Sequence, residues 1–154
     1  MPTGKKRVMR RIEFHVEDEA AIRDFLQEMT FGFLGTAAAR DEHAYPEVTP
    51  LNYVFADDRV YFHGSRVGRK MENLGKRPRV TFVVAREFAL IPSYFTDVDF
   101  ACPATAFFKS VAIRGRAVEV LDLDEKVRAL SALMEKLQPE GGYRPFDLDD
   151  PEYK

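Results

Sequence analysis

The sequence has little that would staple it, carry a metal or hold it in a membrane. Its 154 residues include one cysteine, three histidines and no tryptophan. A single cysteine, Cys102, excludes an intrachain disulfide and suits a reducing compartment, so a cytoplasmic protein is expected. Beside Pro103 in an apolar stretch, its thiol reads as inert rather than nucleophilic. His15, His43 and His63 are scattered without metal-ligand spacing, and no metal site is expected. Neither sign of charge dominates: 23 Lys and Arg face 25 Asp and Glu, for a formal net charge of −2. That balance gives no bulk attraction to nucleic acid or to an anionic membrane, and neither is expected as a partner. The longest uncharged runs, Phe31 to Ala39 and Phe100 to Phe108, fall well short of the ~20 apolar residues that span a bilayer, and no stretch resembles a signal peptide. Gly-x-Gly-x-x-Gly, His-Glu-x-x-His and Cys-x-x-Cys are all missing. The stretch Gly64 to Lys70 departs from a P-loop, with Arg69 where lysine belongs and Lys70 where serine or threonine belongs.

What is present is a patterned globular chain, expected to form one domain over residues 1–154, with a basic arm at 1–11 and a polar tail at 139–154. The charged first fifteen residues read as an arm that becomes an edge element. Ala21, Ile22, Phe25, Leu26 and Met29 share one helical face over Glu17 to Met29. Phe31 to Ala39 reads as a close-packed strand, and 41–46 as a turn. Glu47 to Phe55 alternates as a strand, with Leu51, Tyr53 and Phe55 on one face and Val48, Pro50, Asn52 and Val54 on the other. Pro50 lacks an N–H, which predicts an edge or a bulge there. Asp57-Asp58 predicts a tight hairpin into Arg59 to His63. Val67, Met71 and Leu74 mark a short helix ending at Gly75, with Pro78 beyond. Strands follow over Val80 to Ala89 and Ala106 to Leu121, the second bent at Gly115, around a long loop from Pro92 to Thr105. Asp122 and Glu125 make a box-like start to a helix reaching Leu137. In the tail, Tyr143, Phe146 and Tyr153 read as anchors. The class is mainly β with flanking α: an antiparallel barrel of about six strands with helices at its rim.

One stretch carries chemistry. Val60 to Ser65 leads from a strand through Gly64-Ser65 towards a short helix bearing Arg69 and Lys70. Backbone N–H groups and two cations aimed at one spot are what a phosphate needs. Ser65 is the expected N-cap, with Arg69 about one turn behind it. The competing reading is a solvated basic face of Arg66, Arg69, Lys70, Lys76, Arg77 and Arg79. His63 ends a strand on the face opposite Phe62, beside any ligand whose phosphate sits at Ser65. A lone histidine at a strand end is more often structural than catalytic.

The pieces Gly32-Phe33-Leu34-Gly35-Thr36, Val48-Thr49-Pro50-Leu51-Asn52-Tyr53, Val60-Tyr61-Phe62-His63-Gly64 and Gly68-Arg69-Lys70-x-x-Asn73-Leu74, with Pro78-Arg79-Val80 after them, resemble the FMN-binding split-barrel superfamily of pyridoxamine phosphate oxidase. Within it the chain is most similar to the nitroimidazole-resistance-like branch. Ser110-Val111-x-x-x-Gly115-Arg116-Ala117 resembles a late strand of the same family. The resemblance covers about residues 12–137. It implies a split β-barrel homodimer with cofactor sites at the interface. It implies that Val48, Thr49, Pro50, Leu51 and Asn52 line a flavin ring, largely through backbone groups. By the same likeness Ser65, Arg69 and Lys70 hold the phosphate, Gly64, Gly68 and Ser110 belong to the cofactor site, and His63 stands beside the ring and the small-molecule substrate. The arginines and histidine that serve the substrate in pyridoxamine phosphate oxidase itself have no match, so pyridoxine chemistry is not expected.

The implied activity is an FMN-dependent oxidoreductase acting on a small oxidised or nitroaromatic molecule, with His63 catalytic. Two alternatives stay open at this point. One is a non-catalytic module that stores or senses flavin, or binds haem through His63. The other is a reductase using the deazaflavin F420 on the same fold.

Overall fold

The computed structural model describes residues 10–39 and 45–147. The expected turn at 41–46 with His43, most of the basic arm and Tyr153 therefore lie wholly or largely outside the described residues. The arm's described end is not a strand: Ile12–Phe14 is one turn of 3-10 helix, with Arg11 paired to Glu13 and stacked over Phe14.

Helix α1, Glu19–Glu28, begins at Asp18, whose carboxylate accepts from the N–H groups of Ala20 and Ala21 at 2.9 and 3.2 Å. This satisfies two of the helix's orphan donors. Its apolar face buries Phe25 and Leu26. Strand β1, Phe31–Thr36, follows, then β2, Glu47–Asn52, and the hairpin of β3, Val54–Ala56, with β4, Arg59–Tyr61. Asp57 and Asp58 both adopt left-handed backbone, φ 50° and 57°, which a two-residue hairpin matched to the twist of its strands requires. Helix α2 is Arg69–Lys76. Strands β5, Arg79–Ile91, and β6, Thr105–Arg116, flank a short 3-10 turn at Ser93–Phe95, and helix α3 is Leu123–Leu137. Asp122 caps α3 by accepting from the Glu125 N–H at 2.7 Å, the expected start.

The six strands form two antiparallel sheets, one of four strands in the order β2-β1-β5-β6 and one of β3 with β4. β2 is an edge strand, which is where Pro50 can sit without breaking a ladder. The register sorts the four-stranded sheet into two faces. Thr49 and Leu51, Gly32, Leu34 and Thr36, Val80, Phe82 and Val84, and Val111 and Ile113 share the inner face. The core forms there, from Leu34, Leu51, Phe82 and Val84 with Tyr53 and the α1 residues Phe25 and Leu26. Gly32 is part of this packing: a Cβ there would lie 2.4 Å from the Phe82 ring. The outer face carries Val48, Pro50 and Asn52, Phe31, Phe33 and Gly35, Thr81 and Val83, and Ala112 and Arg114.

Four expectations are corrected. The alternation over Glu47 to Phe55 breaks at Tyr53, whose N–H turns to the Thr30 carbonyl, so Val54 is buried as well as Tyr53. Gly75 lies inside α2, which ends a residue later ahead of Pro78, and Val67 stands exposed before its start. β6 stops at Arg116 instead of Leu121. It keeps register through Gly115, opposite Val80, and the irregularity lies on β5 between Glu87 and Ala89. Past Val83, β5 has no β1 partner, and its far half runs on with β6 as a two-stranded ribbon with Phe88, Leu90, Phe107 and Phe108 exposed.

Candidate functional site

The β4-to-α2 connection and the segment after β6 flank an open cavity of about 660 Å³, bounded on a third side by α3. Val60, Phe62, Leu74, Leu130 and Leu133 give it apolar walls. His63, Gly64, Ser65, Arg66, Lys70, Arg116, Glu119 and Lys126 supply the polar lining. Four of those side chains are Lys or Arg against one carboxylate, so the lining favours an anionic ligand.

The direction of each side chain follows from how α2 is anchored. Gly68 takes the N-cap position with φ 109°, a left-handed conformation that glycine adopts without strain. Ser65 is therefore not the cap. Its hydroxyl accepts from the Val67 N–H at 3.2 Å and tightens the loop before the helix. One face of α2 is fixed to the sheet through Asn73, which is buried. Its amide donates to Thr36 Oγ1 at 3.1 Å and to Glu47 Oε2 at 3.3 Å, and its carbonyl oxygen accepts from the Ala39 N–H at 2.8 Å. Arg69 lies on that side too, with its guanidinium 3.3 Å from Glu47 Oε1. Lys70, the next residue, turns towards the cavity. Its ammonium lies over Phe62, 5.6 Å from the ring centroid, and crosses Gly64 so closely that a Cβ there would meet Nζ at 2.4 Å.

The structure thus brings together four residues predicted from the sequence, His63, Gly64, Ser65 and Lys70, on one cavity wall. Phe62 packs against the core while His63 is exposed and makes no hydrogen bond or ion pair with the described residues. Gly68 and Arg69 adjoin the cavity without lining it. The β2 residues divide by alternation, with Thr49 and Leu51 on the core face and Val48, Pro50 and Asn52 on the outer face. Ser110 stands on the outer face of β6 opposite Ala85. Neither the β2 group nor Ser110 borders this cavity.

Sequence reading did not single out Tyr61, Arg116, Glu119 or Lys126 as site residues. Tyr61 lines the cavity and donates its hydroxyl to Glu125 Oε1 at 2.8 Å, and the same carboxylate oxygen accepts from Arg59. The hydrogen bond from Tyr61, with Arg59 adding to it, holds the Glu125 carboxyl below its usual range. Burial, reinforced by Glu125, pushes the Tyr61 phenol up. The spacing of Tyr61 and Glu125, 64 residues apart, carries no local signal. Among the described residues no group of three or more His, Cys, Asp or Glu side chains is placed to hold a metal, and no helix is long and apolar enough to cross a membrane.

A family model described as pyridoxamine 5′-phosphate oxidase matches residues 18–153. No curated protein matches the chain by sequence. Among solved structures, the chain is similar to a candidate 5-nitroimidazole antibiotic resistance protein from Bacteroides thetaiotaomicron, with 21% identity and a TM-score of 0.68 over 84% of this chain and 71% of that one. It is similar to the flavocytochrome Anf3 from Azotobacter vinelandii, with 24% identity and a TM-score of 0.75 over 95% of this chain and 64% of the other. It is also similar to an FAD and haem binding protein from Mycobacterium smegmatis, with 17% identity and a TM-score of 0.67 over 86% of this chain and 60% of the other. At these identities the likeness establishes a shared fold, and the chain spans less than two thirds of the last two proteins.

Proposed function

Because this chain belongs to the pyridoxamine 5′-phosphate oxidase family, we propose that it is an FMN-binding oxidoreductase acting on a small oxidised or nitroaromatic molecule. In this reading the two sheets are the halves of a split barrel. The observation that carries it is the meeting of His63, Gly64, Ser65 and Lys70 on one cavity with a cationic lining. The residues present fit the cofactor. The volume lies within the ~300–1,000 Å³ usual for small-ligand pockets. The lining offers apolar walls for a flat ring and an excess of cations for a phosphate.

Ser65 and Lys70 would hold the phosphate, with the Ser65 hydroxyl as donor and the Lys70 ammonium as point charge. Arg69 would join them by releasing Glu47. FMN supplies the electron chemistry when bound, and the protein contributes orientation and charge around it. His63, exposed on the cavity wall, would hold or hand over a proton at an acceptor bound there. The apolar part of the outer face and the aromatic β5–β6 ribbon support a homodimer in which a second copy covers Phe31, Phe33 and Val48 and brings the outer-face residues Val48, Pro50 and Asn52 and Ser110 into the cofactor site, while Thr49 and Leu51 stay on the core face.

A haem reading has one observation in its favour. His63 is exposed on the cavity wall, so an imidazole nitrogen is accessible to a haem iron bound there. The absorption spectrum and mass of the cofactor that co-purifies with the protein decide between them. A flavin spectrum with the mass of FMN supports the proposal. A haem spectrum, or the mass of F420, replaces it with that cofactor on the same fold. Colourless protein that takes up no added FMN contradicts it.

A further inference from the structure

A second hollow, of about 650 Å³, opens at one end of the outer sheet face. Its origin is Gly35, which the register places between Val48 of β2 and Thr81 of β5. Without a side chain at that position, the face dips. On the far side of the dip, β6 sets Arg114 opposite Thr81 and Arg116 opposite Arg79. Alternation puts all three guanidiniums on the same face. Like charges directly opposite one another across a strand pair are destabilising. No compensation is in view: none of the three guanidiniums makes an ion pair or hydrogen bond with the described residues. Glu47, the carboxylate at the start of β2, is already engaged by Arg69 and Asn73.

We propose that this hollow is an oxyanion site of the phosphate class, separate from the cavity of His63 and Lys70. Guanidinium forks pair with phosphate oxygens two at a time, and the Thr81 hydroxyl adds a donor at the floor. Three positive charges without a partner among the described residues match a di- or polyanion better than a single carboxylate. The phosphate belongs either to a free phosphate or polyphosphate or to a nucleotide. The assignment does not rest on the flavin reading. Arg79 and Arg114 border this hollow and not the larger cavity, whereas Arg116 borders both.

Calorimetric titration with inorganic pyrophosphate at fixed ionic strength tests it, using wild-type protein, Arg79→Gln/Arg114→Gln, Arg114→Lys and Lys70→Ala. The expected result is saturable binding to wild type, weakened at least tenfold in the double variant and retained in Lys70→Ala. Arg114→Lys keeps the charge and loses the fork, so it should bind pyrophosphate more weakly than wild type while unfolding at the wild-type temperature. A parallel titration with adenosine 2′,5′-bisphosphate separates the sources. Affinity tenfold or more above that for pyrophosphate assigns a nucleotide, and equal or lower affinity assigns free phosphate, both within the proposal. Absence of saturable binding to wild type, equal affinity in the double variant, or loss in Lys70→Ala alone overturns it.

Discussion

The Lys136 ammonium lies 4.7 Å from the centroid of the Tyr53 ring, and both side chains end on the carbonyl of Leu26. The Tyr53 hydroxyl donates to it at 2.8 Å, and Lys136 donates to it at 3.4 Å and to the Met29 carbonyl as well. These carbonyls close the last turn of α1, where a cation is favoured by the helix dipole. Three elements distant in sequence, α1, the β2–β3 junction and α3, are thereby tied at one point beneath the core.

This junction predicts a pH signature. Burial pushes the Tyr53 phenol from 10 up to about 12. Its folded value is above its unfolded one, so its contribution is complete below pH 10 and is lost as pH rises from 10 to 12, by roughly 3 kcal/mol at ~1.4 kcal/mol per pKa unit. Burial holds the Lys136 ammonium below its usual range, which has the opposite effect: stability gains as pH climbs towards the ordinary lysine value. Denaturant unfolding across pH 8–12 should show Tyr53→Phe with a smaller alkaline fall, the remainder coming from Tyr61, and Lys136→Met with a smaller preceding gain. At pH 7 Tyr53→Phe should cost about 1 kcal/mol, the usual worth of one hydrogen bond. Identical alkaline profiles for wild type and Tyr53→Phe would contradict this account.

Gly64→Ala should move Lys70 and little else. The clash falls on Nζ, the free end of a flexible chain, while Gly64 itself is exposed. The melting temperature should stay within a degree or two of wild type, and FMN affinity should fall about tenfold, as expected for loss of a charge-assisted contact of about 1.5 kcal/mol. Unchanged affinity would remove Lys70 from the phosphate site.

His63→Ala should leave unfolding unchanged, since the imidazole is exposed and unbonded among the described residues. Most FMN affinity should remain, while the rate of nitro-reduction or reoxidation per bound flavin changes. Loss of stability with unchanged turnover would make the residue structural.

Phe33→Asp on the outer face should dissociate the dimer and lower FMN affinity together, because a charge is costly in an apolar interface. Phe33 is 42% exposed in the single chain, and its ring packs edge-on against Phe31, so the monomer itself should tolerate the change. Light scattering that finds flavin-loaded wild-type monomer at micromolar concentration would contradict the dimer.

The sequence made the elements legible where a local rule governs them. Asp18 and Asp122 announce helices through their caps, Asp57-Asp58 announces a hairpin, and Pro50 announces an edge. It misled where tertiary contacts override the local pattern. Tyr53 leaves its strand because Thr30 and Leu26 take its N–H and hydroxyl. Ser65 looked like a cap, yet glycine at 68 tolerates the left-handed turn that starts the helix there. Part of the site was readable as a contiguous stretch, His63 to Lys70. Arg116, Glu119 and Lys126 were not, because they come from a strand end, the connection after it and a helix, which meet the cavity only through the fold. The hollow of Arg79 and Arg114 needs the β5–β6 register, which no spacing within either strand reveals.

The most direct test of the central claim is a paired titration of the cofactor-free protein with FMN and with riboflavin, which differ by the phosphate alone. If Ser65 and Lys70 hold that phosphate, FMN should bind at least tenfold more tightly than riboflavin, and Lys70→Ala should shrink the difference. Equal affinities for FMN and riboflavin in the wild-type protein would contradict it.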